Sequence, residues 1–311
     1  MKKGKLWVVA PVFNDWDSAA ELVDTVKSLN TNFFIKIVLV DDASTHYPIA
    51  YEKLTKFRSS MKGASVQVLM LHRNLGNQGA IVKGLREACA KASEGDLFIV
   101  MDSDGEDRPS DIPKLLEQTL NFDIVVARRA HKKKNLNLRF WHEVFKVSVR
   151  FLTGKTLDFG NFSALNYRAV TRLLADPKVN TSFVGALLDS PYEINRVTLE
   201  RGQRFHGESK TNKDSLFIWG FLALSVHSEK IFVKLIRVSI LIGSLGLTAS
   251  SLIIGLRIFT SKAIPGWSGL MLTLIASSLF QLIVILSGFV LIQTQIRNHD
   301  SQNHREIVKK L

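Results

Sequence analysis

Asp102-Ser103-Asp104-Gly105-Glu106-Asp107 places four carboxylates within six positions, directly after the apolar run Leu97-Phe98-Ile99-Val100-Met101. A short apolar run of that kind reads as a buried strand. Acidic side chains crowded at a strand's C-terminal end repel one another unless a cation joins them. In an open α/β sheet that end is also where ligands sit. A divalent metal holding a diphosphate accounts for the cluster, and oxygen ligands with a substrate phosphate suit Mg2+ or Mn2+. The triplet Asp102-Ser103-Asp104 alone is equally compatible with a hydrated acidic turn that caps the helix after Pro109.

Two more strand ends carry acids. The first strand runs into Pro11-Val12-Phe13-Asn14-Asp15, and the second ends in Val40-Asp41-Asp42-Ala43-Ser44. Carboxylates in these places can accept hydrogen bonds from a nucleobase imide and ribose hydroxyls, or bind a metal. One such group would be an ordinary helix cap. Three along one sheet edge are not explained by capping alone. No glycine loop follows the first strand, which excludes the dinucleotide fingerprint. Gly76, Gly79 and Gly84 are not followed by Gly-Lys-Ser/Thr, which excludes a P-loop. His72, His142 and His206 lack metal-ligand spacing.

The elements that must position these residues alternate. Strands are expected at Leu6–Ala10, Ile35–Val40, Val66–Leu71, Leu97–Met101 and Asp123–Ala127. Helices are expected at Trp16–Leu29, Ile49–Arg58, Gly79–Ala92 and Ser110–Leu120. Strands without polar alternation, separated by helices, imply an α/β fold with a mostly parallel sheet covered by helices on both faces. The short apolar run after Lys2, Lys3 and Lys5 meets Pro11 too soon for a signal peptide and reads as the first strand.

The 311 residues are 46% hydrophobic and 22% charged, which is not a disordered composition, and the net charge is +13. That charge implies an anionic partner. Nucleic acid is excluded as that partner because acidic strand ends repel phosphate backbones. Cys89 is the single cysteine, so no internal disulfide can form, in keeping with a reducing compartment. The character changes near residue 230. Val238–Leu256 and Trp267–Gln295 contain no charged residue, and each is long enough to cross a bilayer. Gly243, Gly246, Ser250, Ser277 and Gly288 allow close helix packing in lipid. Lys230, Lys234 and Arg237 precede the pair and Arg297, Arg305, Lys309 and Lys310 follow it, whereas the link holds only Lys262. The positive-inside rule then puts both ends in the cytoplasm. The expected organisation is a cytoplasmic catalytic domain at 1–210, an amphipathic juxtamembrane segment at 211–232, transmembrane helices at 233–259 and 267–295, and a cytoplasmic tail at 296–311. The chain is expected in the cell (inner) membrane, as a multi-pass protein.

Taken together, the first-strand segment, the Asp41-Asp42 segment and Asp102-Ser103-Asp104 resemble the signatures of inverting family 2 glycosyltransferases with a GT-A fold. Arg73-Asn74-Leu75-Gly76, Asp158-Phe159-Gly160-Asn161-Phe162 and Arg204-Phe205-His206-Gly207-Glu208-Ser209-Lys210 extend the likeness. In this order, followed by two apolar spans, the set is similar to polyprenyl-phosphate glycosyltransferases, among them dolichol-phosphate mannose synthases and bacterial undecaprenyl-phosphate glucosyltransferases. Three places depart from the pattern: Ala43 stands where glycine is usual, Glu106 where glutamine is common, and Ala127-Arg128-Arg129 where G-x-R is usual.

The resemblance implies inverting transfer of a hexose from a nucleotide-sugar donor to polyprenyl phosphate at the membrane, with UDP-glucose as the expected donor. A GDP-mannose transferase and an inactive membrane-anchored scaffold are the alternatives. A homo-oligomer is compatible with this reading. Asp102, Asp104 and Glu106 are the expected metal-binding residues, with Asp102, Asp104 and Asp158 as the catalytic set. Pro11, Asn14, Asp15, Asp41, Asp42, Arg73, Arg204 and Lys210 are expected on the donor. Arg129 and Arg139 are expected on the acceptor phosphate, with Arg139 opening the amphipathic stretch Phe140–Leu152. His131-Lys132-Lys133-Lys134 offers either a solvated loop or a contact to anionic lipid. A processive polysaccharide synthase is disfavoured because the Q-x-x-R-W motif is absent.

Overall fold

The computed structural model describes residues 4–49, 51–52, 64–129, 147, 149–151, 153–207, 222–223, 225–259, 269–285 and 287–288. The chain divides into two compact units, residues 1–226 and 227–311.

The first unit is built on β1 (Lys5–Val12), α1 (Trp16–Lys27), β2 (Phe34–Asp41), β3 (Ala64–Met70), α2 (Gly76–Cys89) and β4 (Leu97–Val100). A 3-10 turn at Pro109–Asp111 leads into α3 (Ile112–Gln118), followed by β5 (Ile124–Arg129), β6 (Phe159–Asn166), α4 (Tyr167–Ala175), α5 (Phe183–Asp189) and β7 (Ile194–Leu199). One seven-stranded sheet results, in the order β3-β2-β1-β4-β6-β5-β7. All pairings are parallel except those of β6, which runs antiparallel to both β4 and β5. The mostly parallel α/β sheet anticipated from the alternation is therefore observed. The reversed strand in its middle was not anticipated.

Both faces of the sheet are covered, which is why the central strands are apolar throughout. On β1, Leu6, Val8, Ala10 and Val12 pack with Trp16, Leu22 and Val26 of α1, while Trp7 and Val9 face Ile81 and Leu85 of α2. Burying each of the larger side chains contributes roughly 1.5–3 kcal/mol. Helix α2 lies directly on the strands. A Cβ on Gly84 would sit 2.5 Å from Val9 Cγ1 and 2.6 Å from Val40 Cγ2. Asp96 closes the opposite edge, accepting from the Lys5 backbone N–H at 2.8 Å and from Trp7 Nε1 at 3.1 Å.

Boundaries differ from expectation where tertiary pairing extends a strand. β5 continues through Arg128 and Arg129 because β7 supplies partners Thr198 and Leu199. The expected helix at 49–58 falls mostly outside the described residues, as does most of Phe140–Leu152.

The second unit contains α6 (Ser228–Phe259) and α7 (Gly269–Ile285). Helix α6 is long and apolar enough to cross a membrane. Its large side chains are exposed, Phe259 by 85%. Its hydroxyls are satisfied within the helix. Ser239, Thr248, Ser250 and Ser251 donate to carbonyls four residues back, and Ser244 to the carbonyl of Leu241. Internal satisfaction of that kind is what lipid requires of polar groups. Gly246 faces α7, where an added Cβ would lie 3.4 Å from Ile275 and 3.7 Å from Leu279. The remainder of the expected second span lies outside the described residues.

Candidate active site

The register of β1, β2 and β4 brings the three acidic strand ends to one edge of the sheet. Val12 pairs with Asp41, and Val9 pairs with Val100, two residues before Asp102.

Asn14 ties the first two ends together. Its backbone adopts φ of 52°, a conformation that asparagine tolerates better than most residues. Its Oδ1 accepts from the backbone N–H of Thr45 at 2.8 Å and of His46 at 3.1 Å, while its own N–H donates to Ser44 Oγ at 2.9 Å. Asp41 is fully buried, at 0% exposure. Its Oδ1 accepts from the Ser44 N–H at 2.9 Å and its Oδ2 from the Tyr47 hydroxyl at 2.8 Å. Loss of hydration and the bond to Asp41 push the Tyr47 phenol up to about 12. Asp42 reaches the other way and accepts from the Leu75 N–H at 2.6 Å. Burial raises its proton affinity, opposed by the N–H groups of Leu75 and Gly76. Ala43 sits between these acids at φ of 58°. This is the left-handed region, where glycine carries no penalty, and it gives a physical reason for glycine being usual at this place.

Asp102 and Asp104 lie at the end of β4. Ser103 between them points inward, its hydroxyl donating to the Pro11 carbonyl at 2.8 Å. Asp102 Oδ1 accepts from Asn77 Nδ2 and Asn161 Nδ2, both at 3.1 Å. Gln78 donates to Asn161 Oδ1 at 2.7 Å and extends the network toward α5. Asp107 turns back to accept from the Asp102 N–H at 3.0 Å. Its burial, and then the charge of Asp102, hold it well above the usual carboxylate range. Burial and the charge of Asp102 likewise raise Asp104, partly offset by Arg204 and Arg129.

The segment after β7 lies across this loop. Gly202 N–H donates to the Glu106 carbonyl and Phe205 N–H to the Asp104 carbonyl, each at 2.8 Å. A side chain on Gly202 would place its Cβ 2.4 Å from the Gly105 carbonyl oxygen. Arg204 bridges two of the acidic ends, with Nη2 2.7 Å from Asp15 and Nη1 3.4 Å from Asp104. Glu106 forms an ion pair with Arg201 and lies 3.9 Å from Arg129. Arg129 also approaches Asp107 at 3.3 Å.

The expected site residues fall into four groups. Pro11, Asn14, Asp15, Asp41, Asp42, Asp102, Asp104, Glu106, Arg129 and Arg204 gather along this edge. Asp158 stands at the entry to β6 between Arg128, at 3.3 Å, and Arg196, at 3.0 Å. Arg73 is exposed on the turn after β3. Arg139 and Lys210 lie outside the described residues. Asn77, Gln78 and Tyr47 were not singled out from the sequence, and Asp107 and Asn161 were named within their segments without a role. Asn161 lies within one recognised segment and Asn77 adjoins another, but nothing local marks them as partners of Asp102.

Among the described residues, no three His, Cys, Asp or Glu side chains form a ready-made metal centre. The donor set still fits Mg2+ or Mn2+. Asp102 and Asp104 are partly buried like charges, and such ions bind through one or two carboxylates completed by water and substrate phosphates.

The family model described as Glycosyl transferase family 2 matches residues 7–179. The undecaprenyl-phosphate 4-deoxy-4-formamido-L-arabinose transferase of Pseudomonas fluorescens is 27% identical over 208 residues. That alignment covers 65% of this chain and 59% of that protein. The transferase of the same name from Yersinia pestis is 25% identical over 292 residues, covering 92% of this chain and 84% of that one. Among solved structures, glucosyl-3-phosphoglycerate synthase from Mycobacterium tuberculosis, in complex with Mn2+, UDP-glucose and phosphoglyceric acid, has a TM-score of 0.51. It is 16% identical and covers 73% of this chain and 80% of that chain. That likeness is one of fold, and the fold is the expected GT-A arrangement.

Proposed function

Because the chain belongs to glycosyl transferase family 2, we propose that it transfers a sugar, with inversion, from a nucleoside diphosphate to polyprenyl phosphate at the cytoplasmic membrane face. The observation that carries this reading is the convergence of Asp15, Asp42, Asp102 and Asp104 with Arg129 and Arg204 at one sheet edge. The exposed apolar surface of α6 supports a lipid-borne acceptor, as does the undecaprenyl phosphate in the names of the relatives.

Asp102 and Asp104 would hold Mg2+ or Mn2+, which neutralises the charge that grows on the departing diphosphate. Asp41, Asp42 and Asn14 shape the nucleoside end, because they fix the loops after β1 and β2. Arg204 stands close enough to Asp104 for its guanidinium to pair with a diphosphate arriving there. Arg129 and Arg139 take the acceptor phosphate. That phosphate is already an anion at neutral pH and attacks the anomeric carbon without a general base. No carboxylate is then needed for proton abstraction, and Asp158 serves by holding Arg128 and Arg196 at the acceptor side. Helix α6 and the segment around α7 form a membrane hairpin with both ends cytoplasmic.

UDP-glucose was the donor expected from the motifs, and the relatives use a formamido-pentose, so the sugar is decided by experiment. The purified full chain is supplied with undecaprenyl phosphate and, in turn, UDP-glucose, GDP-mannose and UDP-4-deoxy-4-formamido-L-arabinose. Mass spectrometry of the lipid fraction is expected to show one sugar joined to the lipid phosphate, and EDTA is expected to abolish it. Absence of any lipid-linked sugar with every donor would leave the inactive scaffold as the reading.

A further inference from the structure

We propose that Tyr47 is a specificity gate for the nucleobase: its hydroxyl occupies the Asp41 oxygen that a base N–H takes when the donor binds. The proposal rests on the reading of Asp41 as a nucleobase residue.

The geometry poses a problem that this gate solves. Asp41 has 0% exposure, so a base cannot reach its carboxylate in this arrangement. Its two oxygens are held differently. Oδ1 is fixed from inside its own loop by the Ser44 N–H at 2.9 Å, whereas Oδ2 is held by a side chain, the Tyr47 hydroxyl at 2.8 Å. Tyr47 is 41% exposed, so the group that covers Asp41 itself stands at the surface.

The backbone around it is pinned. Asn14 Oδ1 holds the N–H groups of Thr45 and His46, and Pro48 follows Tyr47 with a fixed φ. The release of Asp41 is therefore a side-chain rotation, not a loop movement. The rotating ring already belongs to an aromatic group. It lies 4.7 Å from Tyr51 and 6.2 Å from Trp16 between centroids. These rings keep Tyr47 at the rim of the site, where its face can cover a base.

The gate also selects. Rotation of Tyr47 frees one acceptor oxygen while Ser44 keeps the other. One free acceptor matches an imide edge with a single donor, the N3–H of uracil. It serves guanine less well, because guanine presents N1–H and N2–H2 side by side and asks for two acceptors. The site would then favour uridine diphosphate over guanosine diphosphate.

The test is calorimetric titration of the detergent-solubilised full chain with UDP and with GDP, in Mn2+, for the parent and for Tyr47→Phe, Tyr47→Ala and Asp41→Asn. A thermal melt of each variant checks that it is folded. Tyr47→Phe keeps the ring and removes the bond that binding must break, so UDP affinity should rise about threefold to tenfold. GDP should gain less. Tyr47→Ala removes the covering ring and should weaken UDP by about tenfold. Asp41→Asn should weaken UDP because an acceptor is lost. If Asp41→Asn weakens UDP while Tyr47→Phe leaves it unchanged or weaker, Tyr47 is only a structural prop and the gate is wrong. An equal gain for GDP in Tyr47→Phe would refute the selectivity. If Asp41→Asn binds UDP as tightly as the parent, the nucleobase reading of Asp41 fails, and the gate fails with it.

Discussion

Replacing Arg204 with methionine would remove a side chain that bridges two of the acidic strand ends while keeping a stem of similar length. The Nη2 to Asp15 distance of 2.7 Å is that of a strong charged hydrogen bond, and the Nη1 to Asp104 contact at 3.4 Å is looser. All three side chains are only about one-fifth exposed, so the pairs are partly shielded from solvent. A charge-assisted bond in that setting contributes about 1.5–3 kcal/mol, and the looser contact adds less than about 1 kcal/mol. Arg204→Met should therefore destabilise the first unit by about 2–3 kcal/mol in EDTA. For a unit of this size that is a fall in Tm of about 4–12 °C. Near-ultraviolet circular dichroism of the detergent-solubilised chain reads this directly. The same structure predicts an opposite effect of metal. Arg204 competes with a cation for Asp104, so Mn2+ should raise the Tm of the variant by more than that of the parent. A variant that melts with the parent in EDTA would show that the bridge contributes nothing. Equal Mn2+ shifts in the two proteins would show that Arg204 does not compete with metal at Asp104.

Ala43→Gly should be neutral or stabilising by up to about 1 kcal/mol in urea unfolding. Relief of the left-handed strain, about 1–2 kcal/mol, is offset by the greater freedom of unfolded glycine. Gly84→Ala should cost about 1–3 kcal/mol in the same assay, because the new methyl group would press on Val9 and Val40, neither of which can retreat from the sheet. Arg139→Ala should raise the KM for undecaprenyl phosphate about tenfold to a hundredfold with little change in the KM for the nucleotide-sugar. A shift in the donor curve instead would move Arg139 to the donor side. Arg139→Lys should recover only part of the loss, since lysine lacks the planar fork.

Much of the candidate site was legible in the sequence because it is local. Asp15, Asp41, Asp42, Asp102 and Asp104 each follow an apolar strand, and parallel strands separated by helices must bring those ends to one edge. The long apolar helix α6 was legible for the same reason, since the lack of charge over nearly twenty residues needs no partner to be seen. What sequence could not supply was pairing between distant segments. Strand β6 is inserted between β4 and β5 and runs backwards. Only that reversal turns its starting end to the acidic edge and sets Asn161 against Asp102. Arg204 reaches Asp15 across 189 positions of chain, and Glu106 meets Arg201 rather than lying open beside Asp104. Tyr47 stands only six residues from Asp41, yet its hydrogen bond depends on Asn14 pinning the intervening loop. The residue types and periods of this chain were enough to name its acids and its layers. Which cation or donor each acid meets depends on strand order and loop closure, and these are set by the packing of the whole sheet.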